Sequence, residues 1–168
     1  MNFTDFKELK SQYDNLDDWA KVEFLVKIEF EEVAYKWELI EQVIKTEQEY
    51  DLARIQALKI AEIASIPKRY KDIIAETLLN VIINDKDYDV KNYTSSAFVN
   101  FIEYPEIVLI SKKKVLDKNE DIDLRYNYYS VILKLKDRNE KKKILSELIM
   151  DAKFQKTAIR DLNLLVES

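Results

Sequence analysis

The sequence predicts an all-α fold: a right-handed α-solenoid of about five helix pairs, about ten helices, in one domain spanning residues 1–168. Three observations point there. The chain has no glycine and only two prolines, which disfavours tight hairpin turns and leaves few helix breakers. Apolar residues return at three- and four-residue spacings through most of the chain, the period of a helix with one buried stripe. A short acidic–apolar–basic motif also recurs, as expected of a repeat architecture. With 47% apolar and 35% charged residues, the composition is that of a globular chain able to bury a core.

Helices are expected near residues 4–14, 17–31, 33–47, 50–64, 67–84, 88–102, 105–116, 121–135, 138–150 and 153–166. Pro67 and Pro105 open two of them, in the first turn, where a missing N–H matters little. Polar clusters at 15–18, 84–89, 117–123 and 137–140 supply further breaks. Between the second and third helices no strong breaker stands, so a single helix over 17–47 is the alternative there.

The recurring motif opens the even-numbered helices. It reads Asp18-Trp19-Ala20-Lys21, Asp51-Leu52-Ala53-Arg54, Asp87-Tyr88-Asp89-Val90-Lys91 and Asp121-Ile122-Asp123-Leu124-Arg125, with a degenerate Asp151-Ala152-Lys153-Phe154-Gln155. The basic position, glutamine in the last copy, falls at 21, 54, 91, 125 and 155, with spacings of 33, 37, 34 and 30 residues. In this pattern the chain resembles the HEAT-repeat family, whose second helices commonly open with an acidic residue, then an apolar one, then Arg or Lys. The resemblance covers essentially the whole chain as five pairs. The chain departs from the family in lacking glycine and in placing proline in only two pairs, so armadillo-like or irregular helical stacking stays open.

Taking Ala53, Val90, Leu124 and Phe154 as first core positions, helical spacing continues the stripe. It runs through Ala57, Ala61 and Ala64; Thr94, Ala97, Phe98 and Phe101; Tyr128, Val131, Ile132 and Leu135; and Ala158, Leu162 and Leu165. The motif Asp residues are expected as helix N-caps. Lys21, Arg54, Lys91 and Arg125 are expected to link neighbouring repeats through Asp side chains or carbonyls. Trp19 and Trp37 are expected in the core.

The chemistry is bounded by what is missing. Without cysteine or histidine there is no disulfide, no thiolate or imidazole metal ligand, and no Ser-His or Cys-His catalytic pair. Without glycine there is no P-loop or Rossmann fingerprint. The acidic pairs Asp17-Asp18, Glu31-Glu32 and Glu47/Glu49 have the residue types for acid/base or metal work, but nothing in the sequence gathers them into one pocket. The expectation is a protein with no catalytic residues, no metal and no cofactor. No basic-then-apolar leader is visible and no stretch reaches ~20 uncharged apolar residues, so a cytoplasmic chain with no membrane partner is expected. Net charge is −5, with −7 in residues 1–50 and +2 in the remainder. The runs Lys112-Lys113-Lys114 and Lys141-Lys142-Lys143 fall on first helices, away from the expected binding face, so nucleic acid is not expected as a partner.

In helix-pair solenoids the second helices line the binding groove. Residues opposite the core stripe on these helices include Ile55, Leu58, Ser95 and Val99. The candidate partner-binding residues are Glu29, Glu62, Asp89, Asn92, Ser96, Asp123, Tyr126, Tyr129, Ser130 and Leu133. Tyr128 should enter the core, leaving Tyr126 and Tyr129 at the surface as aromatic anchors. Packing between neighbouring helices is their alternative role. In size, acidity and lack of catalytic residues the chain is similar to bacterial immunity proteins. That resemblance implies a monomer that neutralises a basic, nuclease-type toxin in a one-to-one complex by occluding its active site. A HEAT scaffold holding a helix or peptide of a larger assembly, and a HEAT-like DNA-repair or lyase enzyme, are the other readings.

Overall fold

A computed structural model describes residues 5–167. Among them are ten α-helices, one 3-10 turn and no strand, so the fold is all-α as expected. The expected start of the first helix at residue 4 lies outside the described residues. The backbone divides into two compact units, Met1–Phe101 and Ile102–Ser168.

The first unit holds α1 (Phe6–Asp14), α2 (Asp18–Glu29), α3 (Lys36–Lys45), α4 (Asp51–Ile63), α5 (Lys68–Asn84) and α6 (Tyr88–Ala97), then a 3-10 turn, Phe98–Asn100. Here α3 packs on α1, α4 and α5, while α4 packs on α2, α3 and α6. Side-chain contacts join α2 to α4 and α4 to α6 at corresponding ends. Lys21, near the start of α2, ion-pairs with Glu49, just ahead of α4, at 2.8 Å. Near the helix ends, Ser96 of α6 donates to Glu62 of α4, also at 2.8 Å. Leu25, Ile28, Ile40, Ile44, Ala57, Ile60 and Phe98 are fully buried between the layers.

The second unit holds α7 (Pro105–Leu116), α8 (Ile122–Lys134), α9 (Arg138–Leu148) and α10 (Gln155–Glu167). α7 packs on α8 and α9, and α9 on α8 and α10, around Ile107, Val115, Val131, Ile132, Leu145 and Phe154. Pro105 takes the first turn of α7 as expected, while Pro67 sits one residue ahead of α5.

The 17–47 region is two helices, not one. The chain leaves α2 at Phe30 and enters α3 through Tyr35, the one non-glycine residue with positive φ (63°) among the described residues. Left-handed backbone next to a helix end is normally glycine's place, and this chain has none. Lys36 takes over the capping. Its ammonium donates to the carbonyls of Ile28 at 3.2 Å, Glu29 at 3.0 Å and Glu31 at 3.1 Å, satisfying acceptors a helix end leaves open. Burial pulls the Lys36 ammonium below its ordinary pKa, against the opposing pull of Glu29 and Glu32.

Of the motif bases Lys21, Arg54, Lys91 and Arg125, the two arginines act as pins, while Lys21 pairs with a glutamate, Glu49. Arg54 is buried and donates from Nε and Nη2 to the carbonyl of Ile44, ten residues back, at 3.2 and 3.0 Å, and from Nη2 to Asp85. Arg125 repeats this on the carbonyl of Val115, at 3.0 and 2.8 Å, and on Asp151 at 2.6 Å. Each guanidinium thus closes its own helix pair and reaches the acidic residue before the next second helix. Burial raises the Asp85 carboxyl, but Arg54 and the backbone N–H groups of Asp87 and Lys86 outweigh it and hold it below the usual carboxylate value. Arg125 lowers Asp151 in the same way, with burial opposing.

Three expectations about caps and core need correction. Asp87 and Asp121 are N-caps, accepting from the backbone of Val90 and of Asp123 and Leu124. The cap of α2, however, is Asp17 and not Asp18; Asp51 lies inside the first turn of α4, behind Tyr50; and Asp151 serves the Arg125 pin. The capping residue is the one still outside helical backbone, as Asp17 and Asp87 are in extended conformation, a property that motif alignment does not report. Most of the expected core stripe is buried, with Ala64 at the end of α4 and Leu162 and Leu165 in α10 half-buried. Trp37 is buried, but Trp19 is 59% exposed. The α2 sequence is apolar on two faces, and Phe24, Leu25 and Ile28 take the inner one.

Candidate protein-binding surface

The expected site residues fall into two groups, one in each unit. In the first unit Glu29, Glu62, Asn92 and Ser96 lie on the second-helix layer, tied into a polar row. Gln56 donates to Glu29 at 3.2 Å, Ser96 donates to Glu62, and the Lys59 ammonium sits 5.0 Å from the Tyr93 ring centroid. Asp89 is exposed in the first turn of α6. Glu29 and Glu62 each accept one side-chain hydrogen bond and stay half-buried, which orients their carboxylates.

Two positions expected to face outward in α4, Ile55 and Leu58, are buried, as is Ser95 in α6. α4 is covered by α2, α3 and α6, so its buried arc is wider than one stripe. In α10 the equivalent position, Ile159, is 41% exposed.

The same geometry corrects the tyrosine assignment in the second unit. Tyr128 is buried as expected, but so is Tyr129, at 3% exposure. Its ring lies 5.4 Å from that of Phe154, and its hydroxyl donates to Asp161 at 2.7 Å. Burial raises the Tyr129 hydroxyl, and the bond to Asp161 raises it further. Tyr126 is 41% exposed, stacks on Phe154 at 4.7 Å and donates to the carbonyl of Lys153 at 3.0 Å. These two tyrosines fasten α8 to the segment leading into α10; only Tyr126 offers an edge to solvent. Asp123 and Ser130 are exposed, and Leu133 lines a shallow hollow with Asp161, Leu164 and Leu165. Of the basic runs, Lys112 pairs with Glu140 and Lys114 with Glu120, so part of their charge is neutralised within the unit.

The surface the residue reading missed is on α2. Trp19, Val22, Val26 and Phe30 follow one another at spacings of three and four residues, so they form one stripe opposite Phe24 and Ile28. Trp19, Val26 and Phe30 are 59%, 46% and 83% exposed. Asp18, Glu23 and Glu32, all exposed, flank the stripe, with Lys27 as the exposed base of the helix. The signal lay in α2 itself: a twelve-residue helix with more large apolar side chains than one buried face can hold.

Among the described residues no group of three or more acidic side chains is placed to hold a metal ion, and no helix is long and apolar enough to cross a membrane. The carboxylate pairs noted in the sequence have separate duties, with Asp17 capping α2 and Glu49 pairing with Lys21. No protein-family model, curated protein or solved structure matches this chain.

Proposed function

We propose that the chain is a non-catalytic protein-binding module of HEAT-like, right-handed helical-repeat build. In this reading it is a bacterial immunity protein of the cytoplasm that occludes the active site of a basic, nuclease-type toxin as a one-to-one complex. The observation that carries the reading is the α2 stripe and its charge setting. Large apolar side chains held in water beside carboxylates have the composition of an interface core with an acidic rim. Residues 1–101 carry 20 acidic and 13 basic side chains, a net of −7, which would speed encounter with a basic partner. Side-chain contacts between successive second helices and the repeated arginine pin support the helical-repeat part of the reading. The straightness of the stripe favours, as a second reading, a scaffold that seats one amphipathic helix of a larger assembly.

The test is affinity capture from lysate of the native host, with the wild-type chain and a Trp19→Ala/Phe30→Ala variant side by side. The immunity reading expects one basic polypeptide in equimolar amount, released by high salt and weakened by roughly 1–3 kcal/mol per anchor in the variant. Equal capture by both chains would remove α2 from the interface. Several neutral or acidic partners, insensitive to salt, would replace immunity by scaffolding.

A further inference from the structure

The second unit holds a hollow of about 620 Å³, bounded by the segment leading into α7, by α7 itself and by the connection from α8 to α9. Its lining is mostly apolar, from Ile102, Pro105, Val108 and Leu135. Lys112, Lys134 and Lys136 stand around it, with Glu103 as the one carboxylate of the lining. The placement of two of the lysines follows from the end of α8. Leu135, its C-cap, turns inward at 9% exposure, and the residues on either side, Lys134 and Lys136, are left exposed.

The three ammonium groups are not equivalent. Lys112 is held by Glu140 at 2.5 Å. Lys134 and Lys136 have no hydrogen-bond or ion-pair partner among the described residues. Asp137, next in the chain, is engaged in capping α9, where it accepts from the N–H groups of Asn139 and Glu140. Set against Glu103, two unpaired ammonium groups leave a surplus of one positive charge beside an apolar floor. A hollow of this volume, mostly carbon-lined with a few polar groups at its edge, has the make-up of a small-molecule site.

We propose that this hollow binds an aliphatic carboxylate: a free alkyl chain of medium length carrying one negative charge at its end. The chain covers the apolar lining, and a single negative head balances the surplus charge. Lysine suits both parts, because its methylene stem lies along apolar surface while its rotatable ammonium reaches the head. A polyanion would meet Glu103 and a floor with nothing to offer further charges. The proposal uses no residue of α2 and is independent of the proposed protein partner.

The experiment titrates the full chain with octanoate and follows, by two-dimensional NMR, the Leu135 and Lys136 amides and the Ile102, Val108 and Leu135 methyl groups. Octanol and octylamine keep the chain and change the head, while butyrate keeps the head and shortens the chain. Saturable shifts at these residues with octanoate are expected. Octanol should bind roughly fivefold more weakly, and octylamine and butyrate at least roughly tenfold more weakly. Lys134→Gln/Lys136→Gln, at two exposed positions, should retain the helical circular dichroism and bring octanoate down to the affinity of octanol. Equal binding of octanol and octanoate by the wild type would remove the head from the recognition and overturn the proposal. Equal binding of butyrate and octanoate would leave only surface ion pairing and overturn it as well, as would the absence of any saturable shift with octanoate.

Discussion

In the first unit Arg54 pins the carbonyl of Ile44 and Asp85; in the second Arg125 pins the carbonyl of Val115 and Asp151. The internal device is the same, down to the ten-residue reach back to the carbonyl. Exposed aromatic side chains are more numerous in the first unit. The first unit turns Trp19, Phe30 and Tyr88 toward solvent, at 59%, 83% and 45% exposure. The second folds Tyr129 and Phe154 inward and lays the Arg125 guanidinium 4.7 Å over the Phe154 ring. Charge divides the same way, with −7 on residues 1–101 and +2 on 102–168. The same arginine pin therefore recurs in both units, and the residues around it differ in how far they expose their aromatics.

The equivalence of the two pins is the part of this comparison open to the largest effect. Arg54→Ala and Arg125→Ala each leave a buried aspartate without its cation, and each should lower unfolding stability by about 3–5 kcal/mol. Urea unfolding by circular dichroism measures both, and tryptophan fluorescence reports the first unit, which holds both tryptophans. Removing the acid as well, in Arg54→Met/Asp85→Leu, should recover most of the loss. A loss under 1 kcal/mol for one arginine alone would break the equivalence. Acid gives an independent check. Asp85 and Asp151 are held below the ordinary value of 3.8, so their contribution is complete above that pH and is lost as pH falls through the folded values. Both single arginine variants should flatten that acid limb.

The pins also show where the sequence was legible and where it stopped. Helix positions came within a few residues because periodicity, proline and polar breaks are local signals. The spacing of Lys21, Arg54 and Arg125 was visible for the same reason. The partners of Lys21 and Arg54 were not, because Glu49 and Asp85 stand outside the aligned motif, whereas Asp151, the partner of Arg125, stands inside it. Tyr129 was placed outward by a single-helix wheel, which does not include the flank covered by the following pair. Trp19 was placed inward because α2 has two apolar faces and a wheel does not choose between them.

The tyrosines test whether the second unit's aromatics are structural. Tyr129→Ala removes a ring that is 3% exposed together with its bond to Asp161, and should cost about 3 kcal/mol of stability. Tyr126→Ala, at a half-exposed ring, should cost about 1 kcal/mol. Tyr129→Phe separates ring from hydroxyl and should fall between them, since it keeps the contact with Phe154 and leaves Asp161 with Arg160. If Tyr126→Ala proved the more damaging, the contact of its hydroxyl with the Lys153 carbonyl would outrank core burial.

The smallest expected effect on stability is at α2, and its smallness is what makes it diagnostic. Trp19→Ala and Phe30→Ala remove side chains that are mostly in water, so each should change unfolding stability by no more than about 0.5 kcal/mol. Phe24→Ala, on the inner face of the same helix, should cost about 3 kcal/mol, because Phe24 is 8% exposed and packs edge-on against Tyr13. Urea midpoints for the three variants compare two faces of one helix in one background. A costly Trp19→Ala would mean that the stripe is held by the fold itself and is not offered to a partner. A silent Trp19→Ala beside a costly Phe24→Ala would leave large apolar surface on α2 that folding does not need, and that only association would bury.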